Sequence, residues 1–302
     1  MPNSTIRLND GRQIPQIGYG TSHIPQSTCV DLVELAVEQG FAHIDTAQIY
    51  GNETQVGLAI KESALKREEI WVTTKWSKST DSPADAISAS LANLGLPFVD
   101  LYLVHGPRLI LGRLKAGWQE VVELQRQGKA ISIGVSNFTL AQMKELLEGE
   151  KPVEVTPAVN QIEMHPYIWH DIKDNVKYCL ANGVNIEAYS PLKPLTTYPG
   201  GPLDKPLLKI ATRLNAKPEQ VLLAWVKAKG AISLTTSRKK ERIADYVAAG
   251  SLKLTEHDIA VIDKKGKKGP RVGRRIALRV AVGVAIQVSV FCLLKVAAKQ
   301  VW

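Results

Sequence analysis

Eight short apolar runs alternate with helical patterns along the first 263 residues, and that alternation limits the fold more than any other feature. The runs are Ile17–Gly20, Ala42–Asp45, Ile70–Thr74, Leu101–His105, Ile131–Ser136, Val159–Glu163, Asn185–Tyr189 and Ile232–Thr235. Several, such as Ile131-Ser132-Ile133-Gly134-Val135, are apolar on both alternating faces, as strands buried on both sides must be. Helical periodicity fills the gaps at Ser27–Glu38, Asn52–Glu62, Asp81–Leu94, Lys115–Gln127, Thr139–Leu147, Asp171–Asn182, Pro218–Lys229 and Lys239–Ala248, with glycine stops at Gly40, Gly128, Gly183 and Gly230. Eight right-handed β/α units close naturally into a (β/α)8 TIM barrel of the α/β class. The alternative, a doubly wound open sheet, calls for a Gly-rich turn after the first strand. Gly18-Tyr19-Gly20-Thr21 lacks the third glycine of that fingerprint. Asn9-Asp10-Gly11, between Thr5–Leu8 and Arg12–Ile14, predicts an N-terminal β-hairpin.

Charge divides the chain in two. The sequence carries 38 Lys/Arg against 29 Asp/Glu, a net +9. Ten of the basic residues and no acidic ones follow Asp263, so the first 263 residues hold 28 against 29, a net of −1. A basic chain raises the prospect of nucleic-acid binding, but here the excess is confined to the tail, without aromatic interleaving, and no nucleic-acid partner is expected. Three widely spaced cysteines, Cys29, Cys179 and Cys292, argue against a disulfide framework and for a reducing compartment. No Cys/His spacing suits a metal, and the N-terminus lacks the apolar stretch of a signal peptide.

Polar residues at strand C-terminal ends are where barrels of this kind keep their chemistry. Asp45, Tyr50, Lys75 and His105 all fall there. Together they can donate a proton, which suits reduction of a carbonyl.

Gly40-Phe41-Ala42-His43-Ile44-Asp45-Thr46-Ala47, followed by Tyr50-Gly51-Asn52-Glu53 and Val56-Gly57, resembles the signature of the aldo-keto reductase family. So do Ser136-Asn137-Phe138, Val159-Asn160-Gln161-Ile162-Glu163 and Glu187-Ala188-Tyr189-Ser190-Pro191-Leu192. Thr235-Thr236-Ser237 and Asp81-Ser82-Pro83-Ala84-Asp85 look most like the fungal ketoamide and conjugated-polyketone reductase branch. The resemblance implies a (β/α)8 barrel using NADP(H), with Tyr50 as general acid, Lys75 and Asp45 tuning it, and His105 orienting the carbonyl. It implies Ser136, Asn137 and Gln161 at the nicotinamide carboxamide and Tyr189 against the ring. It also implies Gly20, Thr21, Ser190 and Leu192 along the cofactor, Thr236, Ser237, Arg238 and Arg242 at its 2′-phosphate end, and Asp245 and Tyr246 near adenine. Thr236 replaces the lysine usual in the family, a loss that Arg238, Lys239, Lys240 and Arg242 offset. Tyr50, His105 and Trp76 are expected to meet a small carbonyl substrate, with Trp169 a further candidate for the opening. Ser22 and Gly106 stand at positions often aromatic in the family, so a roomier pocket and activated carbonyls such as α-keto amides are expected.

Residues 1–263 thus read as one monomeric, cytoplasmic barrel, 264–275 as a basic linker and 276–302 as a hydrophobic segment. Residues 276–296 would span about 31 Å as a helix, about the thickness of a bilayer core. A tail anchor engaging a membrane through 276–298, a helix packed on the barrel or a partner, and a tail produced by a gene-model error are the three readings. The anchor keeps open a different class of function, a non-catalytic nucleotide-sensing subunit of a membrane complex.

Overall fold

The computed structural model describes residues 4–148 and 152–269. An antiparallel hairpin, β1 (Thr5–Arg7) and β2 (Gln13–Pro15), turns at Gly11, whose φ of +89° suits glycine. Eight parallel strands follow: β3 (Ile17–Gly20), β4 (His43–Asp45), β5 (Trp71–Trp76), β6 (Val99–Val104), β7 (Ala130–Ser136), β8 (Val159–Glu163), β9 (Asn185–Tyr189) and β10 (Ile232–Thr235). They close in sequence order, with β10 pairing both β9 and β3. The expected barrel and hairpin are therefore present.

The helices are α1 (Gln26–Glu38), α2 (Glu53–Glu62), α3 (Pro83–Leu94), α4 (Leu114–Arg126), α5 (Leu140–Leu147), α6 (Trp169–Ala181), α7 (Lys193–Thr196), α8 (Asp204–Arg213), α9 (Pro218–Ala228), α10 (Lys240–Ala248) and α11 (Glu256–Gly266). Local chemistry sets their ends. Helix α3 starts at Pro83 rather than Asp81 because the Ser82 hydroxyl accepts from Asp85 N and proline suits the first helical position. Thr139 with Gln142, and Thr255 with Asp258, form capping boxes for α5 and α11. Helices α7, α8 and α11 were not expected. Helix α8 lies just beyond the turn-forming Gly200-Gly201-Pro202, which masks its start.

Helix α11 carries Lys264 and Lys265 in its last turn, so the expected boundary after residue 263 falls inside a helix. The candidate membrane segment, 276–302, lies outside the described residues. Among the described residues, no helix is long and apolar enough to cross a membrane.

The barrel interior has two layers. Its lower layer is apolar: Trp71, Leu101, Leu103, Val159 and Ile232 pack against Leu8 and Ile14 of the hairpin. Above it the inward positions become polar: His43 and Asp45 on β4, Thr73 and Lys75 on β5, Gln161 on β8 and Glu187 on β9, all buried. Gly18 makes room for this layer. A Cβ there would lie 2.7 Å from His43 Nδ1 and 2.6 Å from Leu234 Cδ2. Burying this many polar groups is costly unless they satisfy one another, so the layer marks the working end of the barrel.

Candidate active site

Strand β5 is longer than expected and carries Lys75 inside the barrel. Because side chains alternate along a strand, Lys75 points inward and Trp76 outward. Lys75 is fully buried, and its Nζ donates to Asp45 Oδ1 at 2.6 Å and to Thr46 O at 2.7 Å. Burial, the largest single influence, opposes the charge on Lys75, but the attraction and hydrogen bond of Asp45 together with the smaller influences of Tyr50 and Glu187 outweigh it, and the ammonium is held above its ordinary range. Tyr50 ends a short 3-10 turn (Gln48–Tyr50), and Lys75 Nζ sits 5.1 Å from the centre of its ring. The Tyr50 and His105 rings meet edge to face with centroids 5.8 Å apart. All four predicted catalytic side chains therefore converge.

His105 follows β6, and its Nδ1 lies 2.6 Å from Ser77 Oγ. Burial, then the charges of Lys75 and Arg108, push the imidazole down to about 3, so it is neutral at physiological pH. Asn137 Nδ2 donates to the His105 carbonyl oxygen at 3.1 Å.

Gln161 links the site to the layer below. Its amide nitrogen donates to Asp45 Oδ2 at 2.9 Å and to Glu187 Oε2 at 2.7 Å. Burial, with repulsion from Asp45, raises Glu187 to about 8 against the opposing pull of Gln161 and Lys75. Burial lowers His43 to about 3, with Lys75 adding to the effect. The 3.7 Å approach of His43 Nε2 to Glu187 Oε1 is then a contact between two neutral groups rather than an ion pair.

Two of the predicted cofactor residues hold unusual backbone. Asn137 (φ +62°) and Ser190 (φ +55°) are left-handed non-glycine residues directly after β7 and β9, a conformation that clusters at functional sites. Ser136 Oγ donates to Gln161 O at 2.9 Å, and the Tyr189 hydroxyl donates to Asn137 Oδ1 at 2.9 Å. A Cβ on Gly20 would meet only Thr235 O, at 3.8 Å, so this strand end is open. Thr21 differs from its expected role. It is fully buried, with its hydroxyl turned to Asp45 O and Asn52 Oδ1. Leu192 is buried in the core.

Beyond β10, Thr236, Arg238 and Arg242 are exposed beside the N-terminus of α10, and Ser237 is half-buried with its hydroxyl accepting from Lys239 N at 3.1 Å. Arg238 reaches across to His23 O at 3.3 Å. Arg242 forms no ion pair among the described residues. Asp245 is paired with Lys217 and Tyr246 is buried, so both brace this segment in the structure.

Two expected substrate contacts are corrected. Trp76 is 2% exposed and belongs to the main core. Its outward register places it against the helical shell, with Nε1 donating to Lys78 O and Asp81 O. Trp169 packs edge to face on Trp225 under Lys229, among the outer helices. The residues sequence reasoning missed are Ser77, Arg108, His43 and Glu187. His43 and Glu187 sit two residues from Asp45 and Tyr189, so strand alternation was the available signal that they share the barrel interior.

Comparison with known proteins identifies the family. A profile described as "Aldo/keto reductase family" matches residues 16–267, and the chain belongs to that family. It is 35% identical over 255 residues to the NAD/NADP-dependent indole-3-acetaldehyde reductase of Schizosaccharomyces pombe, covering 82% of this chain and 89% of the relative. It is 34% identical to the NADPH-dependent alpha-keto amide reductase of Saccharomyces cerevisiae, covering 86% and 89%. The crystal structure of an aldo/keto reductase from Brucella melitensis matches with a TM-score of 0.78 at 35% identity, over 87% of this chain and 99% of that one.

Proposed function

We propose that this protein reduces aldehydes, ketones or activated dicarbonyls to alcohols with NADPH, using Tyr50 as the general acid. The observation that carries this is the buried Lys75 ammonium, fixed by Asp45 at 2.6 Å and set 5.1 Å from the Tyr50 ring. A phenol ordinarily ionises near ~10 and gives up its proton reluctantly at neutral pH. A fixed cation beside it stabilises the phenolate that proton donation leaves behind. His105, being neutral, can donate one hydrogen bond to the substrate oxygen as negative charge develops there, without competing as the acid.

The open strand end at Gly20 and the left-handed turns at Asn137 and Ser190 fit an extended dinucleotide. Ser136, Asn137 and Gln161 would hold its carboxamide, and Tyr189 its ring. Ser190 would lie toward the pyrophosphate, while Ser237, Arg238 and Arg242 would meet the 2′-phosphate. Arginine suits phosphate because its planar fork offers paired donors, which favours NADP over NAD. When bound, the cofactor supplies the hydride.

The name of the yeast relative makes α-keto amides the first substrates to try. The test is Tyr50→Phe. NADPH binding should persist while turnover of a reactive diketone falls by a thousandfold or more. Retention of most turnover would remove Tyr50 from the acid role.

A further inference from the structure

One buried serine just beyond β5 contacts both an imidazole and a cation. Ser77 meets His105 Nδ1 through its hydroxyl at 2.6 Å, and its backbone oxygen accepts from Arg108 Nη2 at 3.3 Å. Arg108 lies in the short turn Pro107–Leu109, three residues beyond His105. It is exposed and forms no ion pair among the described residues. A guanidinium carries five N–H donors, and Ser77 O takes one of them. The charge of Arg108 is felt at His105, where it adds to burial and Lys75 in disfavouring the imidazolium. Between the two residues Gly106 is itself buried, yet a Cβ on it would meet nothing within 4 Å, so there is unfilled space beside its Cα. Ile49, next to Tyr50, and Leu111, three residues after Arg108, are 53% and 69% exposed, which gives the neighbourhood an apolar component.

We propose that Arg108 binds a carboxylate on the substrate, so that the preferred carbonyl compounds are short aldehyde acids or keto acids with the anion a few bonds from the C=O. This rests on the carbonyl-reductase reading above. The carbonyl oxygen would lie at Tyr50 and His105, the spacer would pass Gly106, and the carboxylate would meet the guanidinium side-on. Arginine is matched to this task because its fork pairs both carboxylate oxygens. The anchor on Ser77 O reduces the conformational freedom lost on binding.

The experiment compares 4-oxobutanoate with butanal, a pair of similar chain length differing in the carboxylate, using the full chain and NADPH. In the wild type, kcat/KM should favour the acid by about tenfold or more. Arg108→Gln should reduce the acid-to-neutral ratio about tenfold, mainly through KM, and Arg108→Lys should restore part of it. A ratio unchanged by Arg108→Gln overturns the proposal. Affinity of 4-oxobutanoate for the protein–NADP+ complex, followed by tryptophan fluorescence, gives a readout that needs no turnover. A Kd weakened about tenfold in Arg108→Gln supports the site even if neither 4-oxobutanoate nor a reactive diketone is reduced, a result that would overturn the reductase reading alone. Equal affinity in wild type and variant sinks the carboxylate site.

Discussion

Ser77 Oγ lies 2.6 Å from His105 Nδ1 and also 3.2 Å from the Lys75 carbonyl oxygen. The hydroxyl has one proton, so it serves one of these acceptors at a time. When it donates to Nδ1, the imidazole proton sits on Nε2, the nitrogen left to meet a substrate oxygen. When it donates to Lys75 O, Nδ1–H donates to Ser77 and Nε2 becomes an acceptor, useless to a carbonyl. The tautomer of His105 is therefore coupled to the orientation of the Ser77 hydroxyl, and polarising a carbonyl requires the arrangement in which that hydroxyl donates to Nδ1. Ser77→Ala should lower kcat/KM for carbonyl reduction about tenfold with little change in NADPH affinity, and Ser77→Thr should retain most activity. Equal activity in Ser77→Ala and wild type would count against this.

The Lys75–Asp45 pair is almost fully buried, and losing one partner leaves the other charge stranded. Lys75→Met should cost about 3–5 kcal/mol of stability and abolish reduction. Adding Asp45→Asn should recover much of the stability but none of the activity. Denaturant melts of the two variants, with turnover measured on each, separate the structural role from the catalytic one.

Glu187 gives a pH signature of stability. Its folded-state value is raised to about 8 from an ordinary 4.5. The folded state thus binds a proton that the unfolded state has released, and stability falls as pH rises through that window, levelling above it. Glu187→Gln keeps a neutral hydrogen-bonding group in place. The variant should melt close to wild type at pH 5 and gain on it progressively toward pH 8. Parallel melting curves across that range would show Glu187 to be ionised in the fold.

His105 is held down to about 3, so it does not titrate between pH 5 and 9. The pH profile of kcat/KM for reduction should show no inflection near 6.5. Such an inflection, removed by His105→Gln, would contradict the neutral imidazole.

Arg242 is exposed at the start of α10 and unpaired among the described ionic contacts. Arg242→Ala should weaken NADPH binding about tenfold while leaving NADH nearly unaffected, and Thr236→Lys should shift preference further toward NADPH. Fluorescence titrations with both nucleotides read this directly.

Sequence alone determined the barrel, because alternating β and α periodicity and doubly apolar strands have few other ways to bury their surfaces. It also determined Asp45, Tyr50, Lys75 and His105 as a set, since residues at strand C-terminal ends meet once the barrel closes. Tertiary structure decided what lies between and beneath them. Trp76 looked like a rim aromatic, yet the extension of β5 through it turned it outward into the core. Thr21 looked available to a cofactor but is consumed by Asp45 O and Asn52. Glu187 and His43 read as ordinary strand residues until closure put them across the interior from each other. Ser77 and Arg108 carry no motif, and their link to His105 comes from β5 and β6 lying side by side. Periodicity is a local property that the chain carries along its length. Hydrogen-bond partners 28 or more residues apart, such as Ser77 and His105, exist only after the sheet has closed.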